Sequence, residues 1–307
     1  MGSSHFDFDS FGPYVEGARP KLDISHWQWG RDSAGNIAYA PNYIELREGS
    51  GADAISIRAG SSNSISGLPY ADYTFENNYQ GSRAAGFSRV SIYWFWRPLN
   101  PFGCAQFLAG LLQGKSVDAI IVDVEVPGNA VNLWIFIDEL VRLIPHPHPP
   151  IWIYTSVSKW AQITGDKSRA VEFGLAVAHY EVDTPLLPDP WKSAGIVPLW
   201  HQFTDKGPGA GHDWGIHKTA AQGLDLGWAH PAYFVDPTPP PEPPPNPVFV
   251  VVKPGTYLNI RTEPNTNPGT KIGTVGPGTT FEVVREVAGG PWLAVVSYLH
   301  SGFVSEV

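Results

Sequence analysis

Cysteine is nearly absent from this chain. Cys104 is the only one among 307 residues, so no intrachain disulfide can form. It lies in the apolar stretch 102–112 and reads as a packed thiol. Charge is sparse as well: Asp, Glu, Lys and Arg make up 16% of the residues, with 29 acidic against 20 basic, for a formal net charge of −9. That balance argues against a duplex nucleic-acid binder, which needs a basic patch. No run approaches the roughly 18 apolar residues of a transmembrane helix, so no membrane partner is expected. There is no H-E-x-x-H, no C-x-x-C and no glycine-rich phosphate loop, and the sequence implies neither metal nor cofactor. His146-Pro147-His148 is too closely spaced and too proline-rich for a chelating helix, and reads as loop. The N-terminus, M-G-S-S-H-F-D-F-D-S, has neither a basic n-region nor an apolar h-region, so it does not read as a secretory signal.

Aromatic residues are abundant: 12 Trp, 12 Tyr and 15 Phe. They suit a partner with faces to stack on, such as a sugar polymer. The most informative segment is I-I-V-D-V-E-V at 120–126. Its apolar run reads as a buried parallel strand. Asp123 and Glu125 interrupt that run at i, i+2, which puts both on one face, their Cα atoms roughly 6.5 Å apart. Val122, Val124 and Val126 take the other face. Buried unpaired carboxylates are costly, so a core strand that keeps two of them points to chemistry.

The tract P-T-P-P-P-E-P-P-P-N-P at 237–247 predicts a polyproline II spacer of roughly 34 Å. The expected organisation is an N-terminal extension over 1–19, a large domain over 20–236, the linker over 237–247 and a small all-β domain over 248–307. The last sixty residues hold Lys253, Arg261, Lys271 and Arg285 against Glu263, Glu282, Glu286 and Glu306, so the whole −9 lies at or before residue 247. The large domain shows eight strand-like runs: 21–25, 54–58, 90–95, 119–126, 151–155, 173–179, 198–203 and 223–227. Helical patterns follow several of them, over 75–87, 104–113, 130–144 and 157–163, and fade after the sixth strand. The expected fold class is α/β: a TIM-like (β/α) barrel with reduced helices after the later strands, plus a small all-β barrel. In such a barrel the site lies at the carboxyl ends of the strands. Asp23 on strand one, Asp123 and Glu125 on strand four, and Asp225 on strand eight then converge on one mouth. Arg58 and Arg97 are the candidate partners for these acids.

Residues 20–235 resemble glycoside hydrolase family 25, the lysozymes that cut the peptidoglycan glycan. K-L-D-I-S-H-W-Q at 21–28 is similar to that family's D-x-S-x-x-Q opening, through Asp23 and Gln28. A-I-S-I-R-A-G follows, then Asp72, Phe75, Asn78 and Ala85-Gly86 on a D-x-x-F-x-x-N…A-G spacing. Y-W-F at 93–95, V-D-V-E at 122–125, I-Y-T at 153–155, L-W-H-Q-F at 199–203 and L-D-L at 224–226 complete the order. Three positions depart from the pattern. Trp94 stands where His is usual, Ala176 where Trp is frequent, and His201 separates Trp200 from Gln202.

The resemblance implies an N-acetylmuramidase in which Glu125 is the general acid. Asp123 stays charged and either assists the substrate's 2-acetamido group or positions water. Asp23 and Asp225 bind substrate and shape the charge of the site. Tyr93, Phe95, Tyr154, Tyr180 and Trp200 are expected as sugar platforms, and Gln202 as a hydrogen-bond partner of an acetamido group. L-N-I-R-T-E-P-N-T at 258–266, with K-I-G-T-V, G-T-T-F-E-V-V and G-F-V, resembles a bacterial SH3-type domain, whose implied ligand is a wall peptide. The expected partner is bacterial peptidoglycan, met by a monomer that acts at the cell wall after secretion or release by lysis. Two other readings are weighed against this one. A non-catalytic wall-binding protein on a degenerate barrel would not need the acid set. A wall amidase or endopeptidase would need a Cys–His pair or a zinc site.

Overall fold

The computed structural model describes residues 11–145, 147–207, 214–217, 219–235, 248–253, 255–261, 266–277, 279–283, 285–286, 292–294, 298–300 and 304–306. The chain divides into two compact units, Met1–Pro237 and Thr238–Val307. His146, residues 208–213 and the proline tract at 237–247 fall outside the described residues.

In the first unit, eight strands close on themselves: β1 (Arg19–Ile24), β2 (Ala54–Ser62), β3 (Arg89–Phe95), β4 (Ile120–Asp123), β5 (Ile151–Thr155), β6 (Gly174–Ala178), β7 (Trp200–Thr204) and β8 (Asp225–Ala229). Hydrogen bonding runs in order from β2 through β3, β4, β5, β6, β7 and β8 to β1, and β1 pairs back to β2. The Pro69–Ala71 strand forms a hairpin on β2. Five α-helices flank this barrel among the described residues: α1 (Tyr43–Ser50), α2 (Phe75–Ala84), α3 (Pro101–Leu112), α4 (Ala130–Leu143) and the single-turn α5 (Val157–Trp160). Helix α1 was not among the expected segments. Its apolar signal is thin, since only Leu46 and Ser50 are buried.

One expectation is corrected. The barrel is mixed rather than all-parallel. β8 runs antiparallel to both β7 and β1, while the other neighbouring strands are parallel. Asp225 therefore opens its strand instead of ending it. Since β8 points the opposite way, its first residue still reaches the end of the barrel where the other strands finish, and Asp225 lies in register with Asp23.

Alternation along each strand divides the core in two. Leu22, Ile24, Ile55, Ile57, Val90, Ile92, Trp94, Ile120, Val122, Ile153 and Val177 point outward into the layer shared with the helices. Ala54, Ile121, Trp152, Tyr154, Ala176, Trp200 and Ala229 fill the barrel interior with Ala119 and Tyr233. Lys21, Ser56 and Ser91 are buried on the same inward set of positions. Trp94 thus packs outside the barrel against Phe107 and Phe136, at ring distances of 6.2 and 6.4 Å. His201 also points outward, with Nε2 2.9 Å from the His179 carbonyl, so it leaves Trp200 and Gln202 on the inner face.

Local sequence explains the helices that are present. Asn129 caps α4 by accepting from Val131 N at 2.8 Å. Leu133, Trp134, Phe136, Ile137 and Leu140 then form its buried face. Asp138, off that pattern, forms a two-pronged pair with Arg169 at 2.8 and 3.0 Å. Pro101 starts α3 at its first turn, behind an Asn100 cap. Past α5, helical structure among the described residues of the first unit is limited to short 3-10 turns at Ser168–Glu172 and Pro231–Phe234. Residues 11–18, expected as an extension, pack onto the barrel there: Phe11 stacks on Phe203 at 5.1 Å, and Tyr14 Oη donates to the Pro198 carbonyl at 2.6 Å.

The second unit is built from antiparallel strands. Thr280–Val283, Val248–Val252 and Val304–Glu306 form one sheet. Lys271–Val275, Leu258–Arg261, Tyr298–His300, Trp292–Ala294 and Arg285–Glu286 form another. Among the described residues no helix is long and apolar enough to cross a membrane.

Gly227 sits in β8 between Lys21 and Gln202. A Cβ there would come within 2.2 Å of Trp200 Nε1 and 2.4 Å of the His201 carbonyl oxygen. Gly227→Ala is expected to destabilise the protein by about 1–3 kcal/mol, from overpacking against backbone. Urea unfolding of the variant beside the parent checks it.

Candidate active site

The end of the barrel where β1–β7 finish opens into a cavity of about 460 Å³. Every site residue expected from the sequence lines it: Asp23, Asp123, Glu125, Asp225, Tyr93, Phe95, Tyr154, Tyr180, Trp200 and Gln202. They arrive from separate strands through one rule, that inward positions alternate with outward ones.

Glu125 shows the local logic. β4 ends at Asp123, earlier than the expected 119–126 run. Extended pairing nevertheless continues one residue further. Val124 N donates to the Tyr154 carbonyl at 2.8 Å, and Thr155 Oγ1 donates to the Val124 carbonyl at 2.8 Å. Val124 is consequently fully buried in the outer layer, and Glu125 falls on the cavity side with Asp123. Asp123 is 6% exposed, while Glu125 is half-buried at the wall.

The cavity's polar groups hold one another. Tyr154 Oη donates to Gln202 Oε1 in a short hydrogen bond. Tyr93 hydrogen-bonds the Asp23 carboxylate, and Gln202 that of Asp225. Ser25 N donates to Gln28 Oε1 at 2.7 Å, and Gln28 Nε2 donates to the Gly223 carbonyl at 2.8 Å. These bonds tie the turn after β1 to the segment entering β8. Tyr154 packs on Trp200 with ring centroids 5.7 Å apart.

Burial and mutual repulsion govern the acids. Burial pushes Asp123 well above the usual carboxylate range, and the charges of Glu125 and Asp23 add to the effect. Asp225 is raised in the same way, by burial and then by Asp23 and Asp205. Burial also raises Glu125, against the opposing Lys159 charge and the nearby Tyr154 hydroxyl. Asp23 is pushed up to about 7 by burial, opposed mainly by Lys21. Lys21 itself is brought down to about 7 by burial, with Asp23 acting the other way. In the free site, burial and the neighbouring acids disfavour the ionised form of Asp123, and one of its oxygens, Oδ1, is buried without a hydrogen-bond partner.

Of the two arginines expected to offset the acids, Arg58 lines the cavity and lowers Asp23 and Asp123 through its charge. Arg97 instead stacks over Phe95, 5.0 Å from the ring centroid. Several lining residues were not singled out from the sequence: Ser25, Trp27, Asp205, Lys206, Gln222 and Gly223. Trp27 had a readable signal, since it stands inside the quoted K-L-D-I-S-H-W-Q stretch. It is 38% exposed and stacks on His26, whose Nδ1 lies 2.6 Å from Asp72 Oδ2. Asp205 and Lys206 follow β7 directly, with no local pattern to mark them. Among the described residues no group of three or more His, Cys, Asp or Glu is arranged to hold a metal ion.

A family model for the glycosyl hydrolases family 25 matches residues 22–212. The chain belongs to that family. A protein of Dictyostelium discoideum, named a probable GH family 25 lysozyme 2, is 26% identical over 170 residues, covering 52% of this chain and 74% of that one. The family 25 match contains Asp23, Asp123 and Glu125 and stops before β8. Asp225 joins the family 25 acids here through the geometry of barrel closure.

The raised carboxylates make stability depend on pH. The folded state keeps the Asp123 proton at pH values where the unfolded chain has released it. It therefore binds more protons in that window, and stability falls as pH rises from the ordinary carboxylate range toward neutrality. Asp123→Asn is expected to melt at a higher temperature than the parent near pH 7 and to lose that advantage as pH falls to about 4. Thermal melts across that range measure the difference.

Proposed function

We propose that the protein is a peptidoglycan hydrolase, an N-acetylmuramidase that cleaves the β-1,4 bond between N-acetylmuramic acid and N-acetylglucosamine. The observation that carries this reading is the convergence of Asp23, Asp123, Glu125 and Asp225 in one aromatic-walled cavity of a family 25 chain. The Dictyostelium relative is named a probable lysozyme, which supports the same class of activity.

Glu125 is the proton donor in this scheme. Burial holds its carboxyl above the usual range, so the acid form is available to the departing glycosidic oxygen. Its half-buried position at the wall gives it access to a bound chain. Asp123 lies deeper and shares protons with Glu125 through like-charge coupling. A substrate acetamide N–H that donates to Asp123 favours its ionised form and leaves the shared proton on Glu125. Asp123 then orients the acetamide, whose carbonyl attacks the anomeric carbon, as in substrate-assisted glycosidases. Positioning of water by Asp123 is the alternative use of the same geometry. Asp23 and Asp225 shape the charge and contact substrate. Tyr93, Phe95, Tyr154, Tyr180, Trp200 and Gln202 supply stacking faces and hydrogen bonds.

We assign the strands after residue 247 to a bacterial SH3-type module that binds wall peptide. Support comes from the L-N-I-R-T-E-P-N-T resemblance and from the antiparallel strand pattern. A second contact with the wall raises the effective concentration of glycan at the barrel. The activity belongs at the bacterial cell wall.

Glu125→Gln is expected to lower the rate of wall lysis about 10²–10⁴-fold with the fold retained. Turbidity of a wall suspension gives the rate, and mass spectrometry of the released muropeptides identifies the bond. Lysis that persists in this variant would sink the assignment. The full-length Glu125→Gln protein should also sediment with intact walls and much less with walls stripped of stem peptides. Equal binding to both removes the peptide-binding role.

A further inference from the structure

Beneath the carboxylates, inside the barrel, lies one fully buried lysine. Lys21 stands two residues before Asp23 on β1, so both point inward. Barrel interiors are ordinarily filled by branched apolar side chains, and an ammonium there is costly unless it is compensated. The surroundings of Lys21 are specific. Its Nζ lies 3.7 Å from the centroid of the Trp200 ring and donates to Ser56 Oγ in a short hydrogen bond. Ser56 Oγ is 2.9 Å from Ser91 Oγ. Across the β1–β8 ladder the partner of Lys21 is Gly227, whose missing side chain leaves room for the Trp200 indole.

The titratable neighbours can be taken strand by strand. On β1 the acid is Asp23. β2 supplies Arg58 and β3 supplies Tyr93, both acting on Asp23. Past β4, Glu125 raises Asp23. β8 supplies Asp225, which Asp23 raises in turn. Of the charges acting on Asp23, that of Lys21 is the largest. Asp123 responds to the Asp23 charge, while Lys21 is not among its principal influences.

Building on the hydrolase reading above, we propose that Lys21 is a positioning residue for the reaction. Its buried ammonium keeps negative charge on Asp23 and braces the Trp200 indole, so that the transferable proton of the cluster stays on Asp123 and Glu125. Without that cation Asp23 competes for the same proton. Once Asp23 is neutral, Asp123 loses a repelling neighbour and releases its proton at lower pH. Lys21 reaches the reacting atoms only through Asp23 and Trp200.

The test compares Lys21→Met with the full-length parent. Removing one member of a buried charge pair is destabilising, so a thermal melt first establishes that this variant folds at the assay temperature. Lys21→Gln provides the same comparison if the Met variant fails to do so. Carbon-13 NMR titration of the Asp23 carboxyl should show its midpoint rising by about one unit or more. The alkaline limb of the kcat/KM profile on purified walls should move down by about half a unit to one unit. An unmoved Asp23 midpoint overturns the proposal. A shifted midpoint with an unmoved alkaline limb also overturns it, because the charge would then have no bearing on the reaction. A parent that cleaves no wall glycan removes the hydrolase reading and the reaction role together. The Asp23 titration still decides the charge coupling in that case.

Discussion

Asp23 and Asp225 face each other across β1 and β8 because β8 runs against both of its neighbours. The composition of the site depends on that reversal. A parallel eighth strand would bring its last residues to the cavity, and in this chain those are Trp228 and Ala229. The antiparallel strand brings its first residue, an acid. It also places Gly227 beside Trp200, where any side chain would collide with the indole and the His201 carbonyl. Barrel closure, the fourth acid and the seating of Trp200 are thus one arrangement seen from three sides.

The second constraint is electrostatic. Acidic groups gather at the cavity, and the cations near them are few: Arg58 and Lys206 line it, Lys159 acts on Glu125, and Lys21 lies below. In a closed barrel the groups have limited water to share, so each carboxylate raises the others. That repulsion costs stability and in return yields carboxyls that keep protons in the range where a glycosidic oxygen can use them. The neutral hydrogen bonds around the acids, from Tyr93 to Asp23 and from Gln202 to Asp225, favour ionised forms and keep the cluster from becoming fully protonated.

Much of this was legible in the chain itself, because the period of two is so regular. Eight apolar runs predicted eight strands, and the i, i+2 acids at 123 and 125 predicted a shared face that the structure retains even after β4 ends. Three things were not legible. The direction of β8 depends on how the barrel closes, and G-L-D-L-G at 223–227 reads alike in either direction. Helix α1 has too little apolar surface to show a period. Lys21 could be seen on the inward register of strand one, but its burial is set by Ser56, Ser91 and Trp200, which belong to distant strands.

Residues 11–18 take the place of the helices that the later strands lack. Phe11 covers Phe203, and the Phe11 carbonyl accepts from Trp228 Nε1 at 2.7 Å. This cover and β8 both fall outside the span of family similarity, residues 22–212. The recognisable part of the chain and the part that can fold are therefore different lengths. A fragment trimmed to the recognisable span would leave β7 and β1 as open edges with unpaired backbone, and such edges are templates for association with other chains. The sequence that identifies this enzyme family is shorter than the sequence that closes its barrel.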